Sequence, residues 1–228
     1  MKAIGLIGGI TPESTIMYYR VLNQLASRKY GSKHSAKVIM NSVDFGEISR
    51  LQHEGRWDLL DDIMANAAIS LEKAGASCIL ICANTMHLTI KAIRKKVTIP
   101  VIHIAEATSE KIKEKRLTKV ILLGTKYTME KRFYIDILES HGIDVVVPNK
   151  EDREIIHTVI YDELSRGILN DDSRSNYVNI ISKLVAKGAE GVILGCTEIP
   201  LLIKEDDVTV PIFDTTTIHA TKAFQLSI

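Results

Sequence analysis

Ala74-Gly75-Ala76-Ser77-Cys78-Ile79-Leu80-Ile81-Cys82-Ala83-Asn84 reads as a helix stop, a short buried strand and a polar exit. The chain repeats that pattern 113 residues later, at Lys187-Gly188-Ala189-Glu190-Gly191-Val192-Ile193-Leu194-Gly195-Cys196-Thr197. A glycine just past a helix suits the left-handed residue that ends it. An unbroken apolar run, Cys78–Cys82 or Val192–Leu194, fits a strand covered on both faces. The next segments match as well, Val97-Thr98-Ile99-Pro100-Val101-Ile102 against Val208-Thr209-Val210-Pro211-Ile212-Phe213, at a shift of 111. Near the start, the strand ending in Gly8 aligns with the one ending in Gly124 at a shift of 116, which places Tyr18 on Tyr134. Three matches in one order, with shifts within five residues, predict two similar lobes built by duplication.

Outward from these strands, apolar runs alternate with helix-period segments. Strands are expected at Ala3–Ile7, Lys37–Ser42, Cys78–Cys82, Ile99–Ile104, Val120–Leu123, Ile143–Val147, Val192–Leu194 and Val210–Phe213. Helices are expected at Pro12–Ala26, Asp58–Lys73, Leu88–Lys96, Met129–His141, Arg153–Arg166 and Asn176–Lys187. Such alternation predicts an α/β protein of two pseudo-symmetric lobes, each a parallel-type sheet flanked by helices. Residues 1–104 form the first lobe, completed by 212–228, and residues 105–211 the second. Ligands bind such sheets at the carboxyl ends of their strands. The active site is therefore expected in the cleft between the lobes, where Ala83-Asn84-Thr85 and Cys196-Thr197-Glu198 are equivalent strand exits.

Composition narrows the partners. Basic and acidic side chains, 29 and 28, nearly cancel to a net charge of +1, so nothing suggests nucleic acid or a membrane surface. No apolar run approaches the roughly 18–20 residues of a membrane helix. The glycine-broken start lacks a signal peptide's apolar region, and the chain is expected to be cytoplasmic. Three cysteines, Cys78, Cys82 and Cys196, make neither a disulfide framework nor a metal-binding spacing. No metal and no cofactor are expected. Gly8-Gly9 follows a strand but lacks the remaining glycines of a dinucleotide fingerprint and the lysine of a P-loop.

Several segments together carry a family resemblance. Gly8-Gly9-Ile10-Thr11-Pro12-Glu13-Ser14-Thr15, Asn84-Thr85-Met86-His87 and Gly195-Cys196-Thr197-Glu198 resemble the first loop and two catalytic motifs of the aspartate/glutamate racemases. Ser42-Val43-Asp44-Phe45, Leu123-Gly124-Thr125-Lys126-Tyr127-Thr128-Met129 and Phe213-Asp214-Thr215-Thr216-Thr217-Ile218-His219-Ala220 look like the bacterial broad-specificity amino-acid racemase branch. The resemblance implies a homodimeric enzyme that works on an amino acid without pyridoxal phosphate or metal. In that family one cysteine takes the α-proton and a second supplies a proton to the other face. By resemblance Cys196 is the acid/base and Glu198 poises it, with the thiol's pKa expected to be lowered by a helix start or nearby donors. Asn84, Thr85 and Thr197 are carboxylate clamps, with helix capping as their alternative, and Ile10, Gln52 and Thr125 are further substrate contacts. His87 orients a ligand or caps a turn.

One position departs from the pattern. Cys196 aligns with Ala83, where the resemblance calls for the first thiol, and alanine carries no proton. Cys82 is adjacent, but alternation along a strand turns its sulfur toward the core. Thr85, His87 or an ordered water are the candidates to return the proton. The aspartate-type basic residue two places before Gly167 is replaced by Ser165, leaving Arg166, Arg56 or Arg50 for a distal carboxylate. The alternatives to a racemase are a one-cysteine decarboxylase or cis–trans isomerase of small dicarboxylates, or a catalytically impaired carboxylate-binding homologue.

Overall fold

The computed structural model describes all residues, 1–228, and the chain divides into two compact units. Met1–Ile104 with Thr216–Ile228 form the first, and Ala105–Thr215 the second. In chain order the first unit carries β1 (Ile4–Gly8), α1 (Pro12–Tyr30), β2 (Val38–Ser42), α2 (Phe45–His53), α3 (Trp57–Lys73), β3 (Cys78–Ile81) and α4 (Ile90–Arg94). A 3-10 turn, Thr85–Thr89, joins β3 to α4. The next stretch carries α5 (Ile104–Glu114), β4 (Lys119–Gly124), α6 (Lys126–Glu130), α7 (Arg132–Ser140), β5 (Asp144–Val146), α8 (Lys150–Asp162), α9 (Asp171–Val185), β6 (Gly191–Gly195), α10 (Ile199–Leu202) and β7 (Ile212–Asp214). The last helix, α11 (Thr215–Ser227), returns to the first unit.

Both sheets are parallel throughout, ordered β2-β1-β3 and β5-β4-β6-β7. Their registers repeat the duplication residue by residue. Ile7 pairs with Ile81 as Leu123 pairs with Leu194, and Ile79 bridges Val101 as Val192 pairs with Ile212. Tyr18 and Tyr134 are both fully buried, on α1 and α7. Tyr134 meets Thr108 on α5 at 3.1 Å, and Tyr18 meets His219 on α11 at 2.8 Å, so the two contacts follow the same repeat. The helix that ends each half therefore belongs largely to the other half's unit.

Four expectations need correction. The strand at Ile99–Ile104 shrinks to the single Ile79–Val101 bridge. Pro100 offers no N–H to a ladder, and α5 begins by Ile104. Residues 212–214 do not complete the first lobe, because β7 hydrogen-bonds to β6 and lies in the second unit. The helix at Met129–His141 is two helices, since Lys131 takes an extended backbone (φ −84°, ψ 140°) and breaks it. Four helices lie outside the expected helical spans: α2, whose Asp44 caps the Glu47 N–H, α5, α10 and α11.

Each unit has its own core. Ile7, Leu60, Met64, Ile79, Ile81 and Ile93 pack in the first, and Ile121, Leu123, Ile160, Tyr177, Val192 and Leu194 in the second. Burial of these strands on both faces is the main stabilising term, at about 25 cal/mol per Å² of apolar surface. Gly9 shows how tightly β1 exits. Its φ is +81°, and a Cβ there would lie 2.1 Å from the Val43 carbonyl oxygen.

Candidate active site

At the exit of β6 the chain turns through Cys196-Thr197-Glu198 into α10. Gly195 ends the strand because a Cβ at that point would meet the Leu123 carbonyl oxygen at 2.7 Å. Cys196 is partly exposed, while Thr197 and Glu198 are buried. The Cys196 thiol donates to Glu198 Oε2 at 2.8 Å, and the Thr197 hydroxyl donates to the same oxygen at 2.7 Å. The thiol is not acidified as the sequence reading expected. Burial, then the Glu198 charge and the hydrogen bond to it, push it well above the ordinary thiol range. The backbone N–H groups of Glu198 and Thr197 act the other way and are outweighed. The turn thus holds a protonated thiol hydrogen-bonded to a carboxylate.

Thr197 lends its hydroxyl hydrogen to Glu198 and is buried. Thr125, at the exit of β4, accepts from the Thr128 N–H at 3.4 Å and serves as the N-cap of α6. The 3-10 turn Leu164–Arg166 packs against α10, immediately after the Cys196 turn. Tyr161, on α8, escaped the sequence reading. It is 46% exposed, and its phenol is pushed up by partial desolvation and then by the nearby Cys196, Tyr127 and Glu198. Its position at the end of an ordinary amphipathic helix gave no signal.

The β3 exit in the first unit carries the equivalent residues. Ala83 is partly exposed, like Cys196, and lies at the margin of the unit's core. Cys82 is fully buried; its N–H donates to the Ile7 carbonyl, and burial drives its thiol far upward. Asn84 is buried, and its side chain does not cap the following turn. Thr85 is partly exposed. Gln52 on α2 donates to Met86 Sδ at 3.1 Å, so it lies beside this exit. Ile10 points into the first unit's core, leaving only its backbone for a ligand. His87 is 1% exposed with both ring nitrogens bonded to backbone, which removes it as a proton donor to substrate. Arg50 pairs with Glu54 and Arg56 with Asp58, whereas Arg166 is exposed and makes no ion pair.

The fold is thus one of duplicated parallel α/β units with a hydrogen-bonded thiol–carboxylate pair at one strand exit. The family model for Asp/Glu/Hydantoin racemase matches residues 7–223. A broad-specificity amino-acid racemase of Bacillus subtilis (strain 168) is 21% identical over 223 residues, 92% of either chain. The crystal structure of a putative Asp/Glu racemase from Yersinia pestis is 48% identical, with a TM-score of 0.95 over 100% of this chain and 99% of that one. An aspartate racemase homologue from Pyrococcus horikoshii OT3 is 42% identical, with a TM-score of 0.91 over the same shares. This chain belongs to the Asp/Glu/Hydantoin racemase family.

Proposed function

We propose that the protein is a cofactor-independent racemase of a dicarboxylic amino acid, aspartate or glutamate, with Cys196 as its principal acid/base. The observation that carries this reading is the Cys196–Glu198 hydrogen bond at the β6 exit. Glu198 accepts the thiol proton, and the resulting thiolate removes the substrate's α-proton. The α-proton now on sulfur exchanges with solvent, a proton is returned to the carbanion, and Glu198 releases its own proton to the donor left deprotonated, through solvent, which closes the cycle. Return to the opposite face inverts the centre. With alanine at position 83 that second delivery falls to Thr85 or water, so the two enantiomers react at unequal rates. Asn84 and Thr85 serve the α-carboxylate, because the Thr197 hydroxyl hydrogen is held by Glu198, and Arg166, the arginine without an ion pair among the three candidates, serves the distal one. Metal and cofactor play no part in this scheme.

Incubation with L- and D-aspartate and glutamate in heavy water, followed by proton NMR, tests the proposal. Loss of the α-proton signal from a dicarboxylic amino acid is expected. Cys196→Ala should lower that rate at least ~10²-fold, the usual scale for a general acid/base. Undiminished exchange in Cys196→Ala would sink the assignment. The single thiol also fits a decarboxylase or cis–trans isomerase, and carbon dioxide release or maleate-to-fumarate conversion without α-exchange would favour that reading. The chain is further proposed to pair as a homodimer through α1 and β2, whose exposed Ile16, Tyr19 and Met40 border a common groove. Light scattering reads the mass directly.

A further inference from the structure

Three histidines lie buried together in the first unit, and the proposed chemistry uses none of them. His87, His103 and His219 are at most 3% exposed. The His87 ring sits 4.7 Å from His103 and 5.4 Å from His219, centroid to centroid. They are not arranged as metal ligands, because backbone and Tyr18 already occupy the ring nitrogens of His87 and His219. His87 Nδ1 lies 2.8 Å from the Ala83 carbonyl oxygen and 3.2 Å from that of Asn84, and its Nε2 accepts from the Ile104 N–H at 3.2 Å. The Ala83 and Asn84 carbonyls at Nδ1 and the Ile104 N–H at Nε2 select the neutral tautomer with the proton on Nδ1, although the Ile102 carbonyl also lies near the ring. His219 holds the complementary form. Its Nε2–H donates to the Ile102 carbonyl at 2.9 Å, and its Nδ1 accepts from the Tyr18 hydroxyl at 2.8 Å.

We infer that His87 is a positioning residue, whose Nδ1–H grips the carbonyls of Ala83 and Asn84 and thereby sets the β3 exit from which Asn84 and Thr85 are presented. The exit needs such a grip. The backbone leaves β3 for a 3-10 turn at these residues, and the Asn84 side chain supplies no cap to that turn. The carbonyl of Ala83 takes no part in the β1–β3 ladder, which ends at Ile81. The ring supplies a donor to the Ala83 carbonyl, beside the Asn84 carbonyl that also accepts from the His87 backbone N–H at 3.1 Å, while its other nitrogen satisfies a first-turn N–H of α5. Its neighbours keep it neutral: burial dominates, and the Arg94 guanidinium opposes a further positive charge. A charged ring would lose the acceptor that Ile104 requires. The inference rests on the proposed function only for what the β3 exit presents.

Two isosteric variants separate the ring's two roles. His87→Asn places an amide donor where Nδ1 stood, and His87→Gln places an amide where Nε2 stood. The grip on Ala83 and Asn84 should survive in Asn and fail in Gln. Amide hydrogen exchange across residues 82–89 is expected near wild type in His87→Asn and about tenfold faster in His87→Gln, the scale of one lost hydrogen bond. Substrate KM should rise about tenfold in Gln alone, with kcat changing less. Equal effects in the two variants, no effect in either, or the reverse order would each overturn the inference. Should either variant fail to fold, imidazole 15N shifts in the wild-type protein decide instead. His87 must then show the neutral Nδ1–H form at pH 7, and any other form overturns the assignment. A wild type without α-proton exchange would sink the proposed function, while the hydrogen-exchange and 15N measurements would still judge His87.

Discussion

Cys196 is held in its protonated form by the same carboxylate that is proposed to take its proton. Burial and the Glu198 charge raise the thiol, so the thiolate fraction grows as pH climbs through the alkaline range. Alkylation of Cys196 by iodoacetamide, followed by mass spectrometry, should therefore have a midpoint above the ordinary thiol value of about 8.5. Glu198→Gln removes the like charge and substitutes a neutral amide. Its midpoint should move down while α-proton exchange slows, because reactivity toward an electrophile and access to a proton acceptor are separate properties. A wild-type midpoint below the ordinary range, or an upward move in Glu198→Gln, would contradict this account. Cys78 and Cys82 are buried and should stay unlabelled, which gives an internal control.

At the scale of elements, the β3 and β6 exits are the same structure with different side chains. Their registers against β1 and β4 coincide, and Ala83 and Cys196 are both partly exposed. Ala83→Cys should therefore install a second thiol acid/base, raising exchange and bringing the rates from the two enantiomers closer together. Cys82→Ala should leave exchange intact and cost roughly 1 kcal/mol of stability from lost packing, since that side chain lies wholly inside. Deuterium uptake from the L and D forms, followed separately, reads both variants. Lost exchange in Cys82→Ala, beside no gain in Ala83→Cys, would transfer the role to Cys82.

At the scale of the molecule, the buried histidines make the first unit the acid-sensitive one. Burial lowers His87 to about 4 and His103 to about 2, and His219 also falls well below its usual range. The groups facing them include the Arg94 guanidinium and the Tyr18 hydroxyl. The unfolded chain binds protons at these positions near pH 6.5, and the folded one does not. Their contribution is therefore complete above that pH and declines as pH falls toward the folded values. Each ring takes away up to about 1.4 kcal/mol per pH unit across that window. Hydrogen exchange at pH 5 against pH 7.5 should show Met1–Ile104 and Thr216–Ile228 losing protection ahead of Ala105–Thr215. Earlier loss in Ala105–Thr215 would refute it.

Much of this was legible in the residues alone. The two copies around Cys78–Cys82 and Val192–Leu194 announce duplicated parallel units, because strands covered on both faces read as unbroken apolar runs. The Gly-Cys-Thr-Glu turn marked the thiol and its carboxylate neighbour, because a strand exit keeps adjacent residues adjacent in space. Local sequence could not show that Ile99–Ile104 is mostly not a strand, that β7 joins β6, or that α5 and α11 fall largely in the other half's unit. Those outcomes depend on which partner completes a ladder or a core. The direction of the thiol's pKa was equally hidden, since burial and a charge only 2.8 Å away outweigh the backbone donors that the motif supplies. The histidine cluster joins positions 87, 103 and 219, far apart in the chain. Only the folded first unit brings them together, in an interior dry enough to keep every ring neutral at pH 7, with His87 and His219 bound to backbone as fixed tautomers.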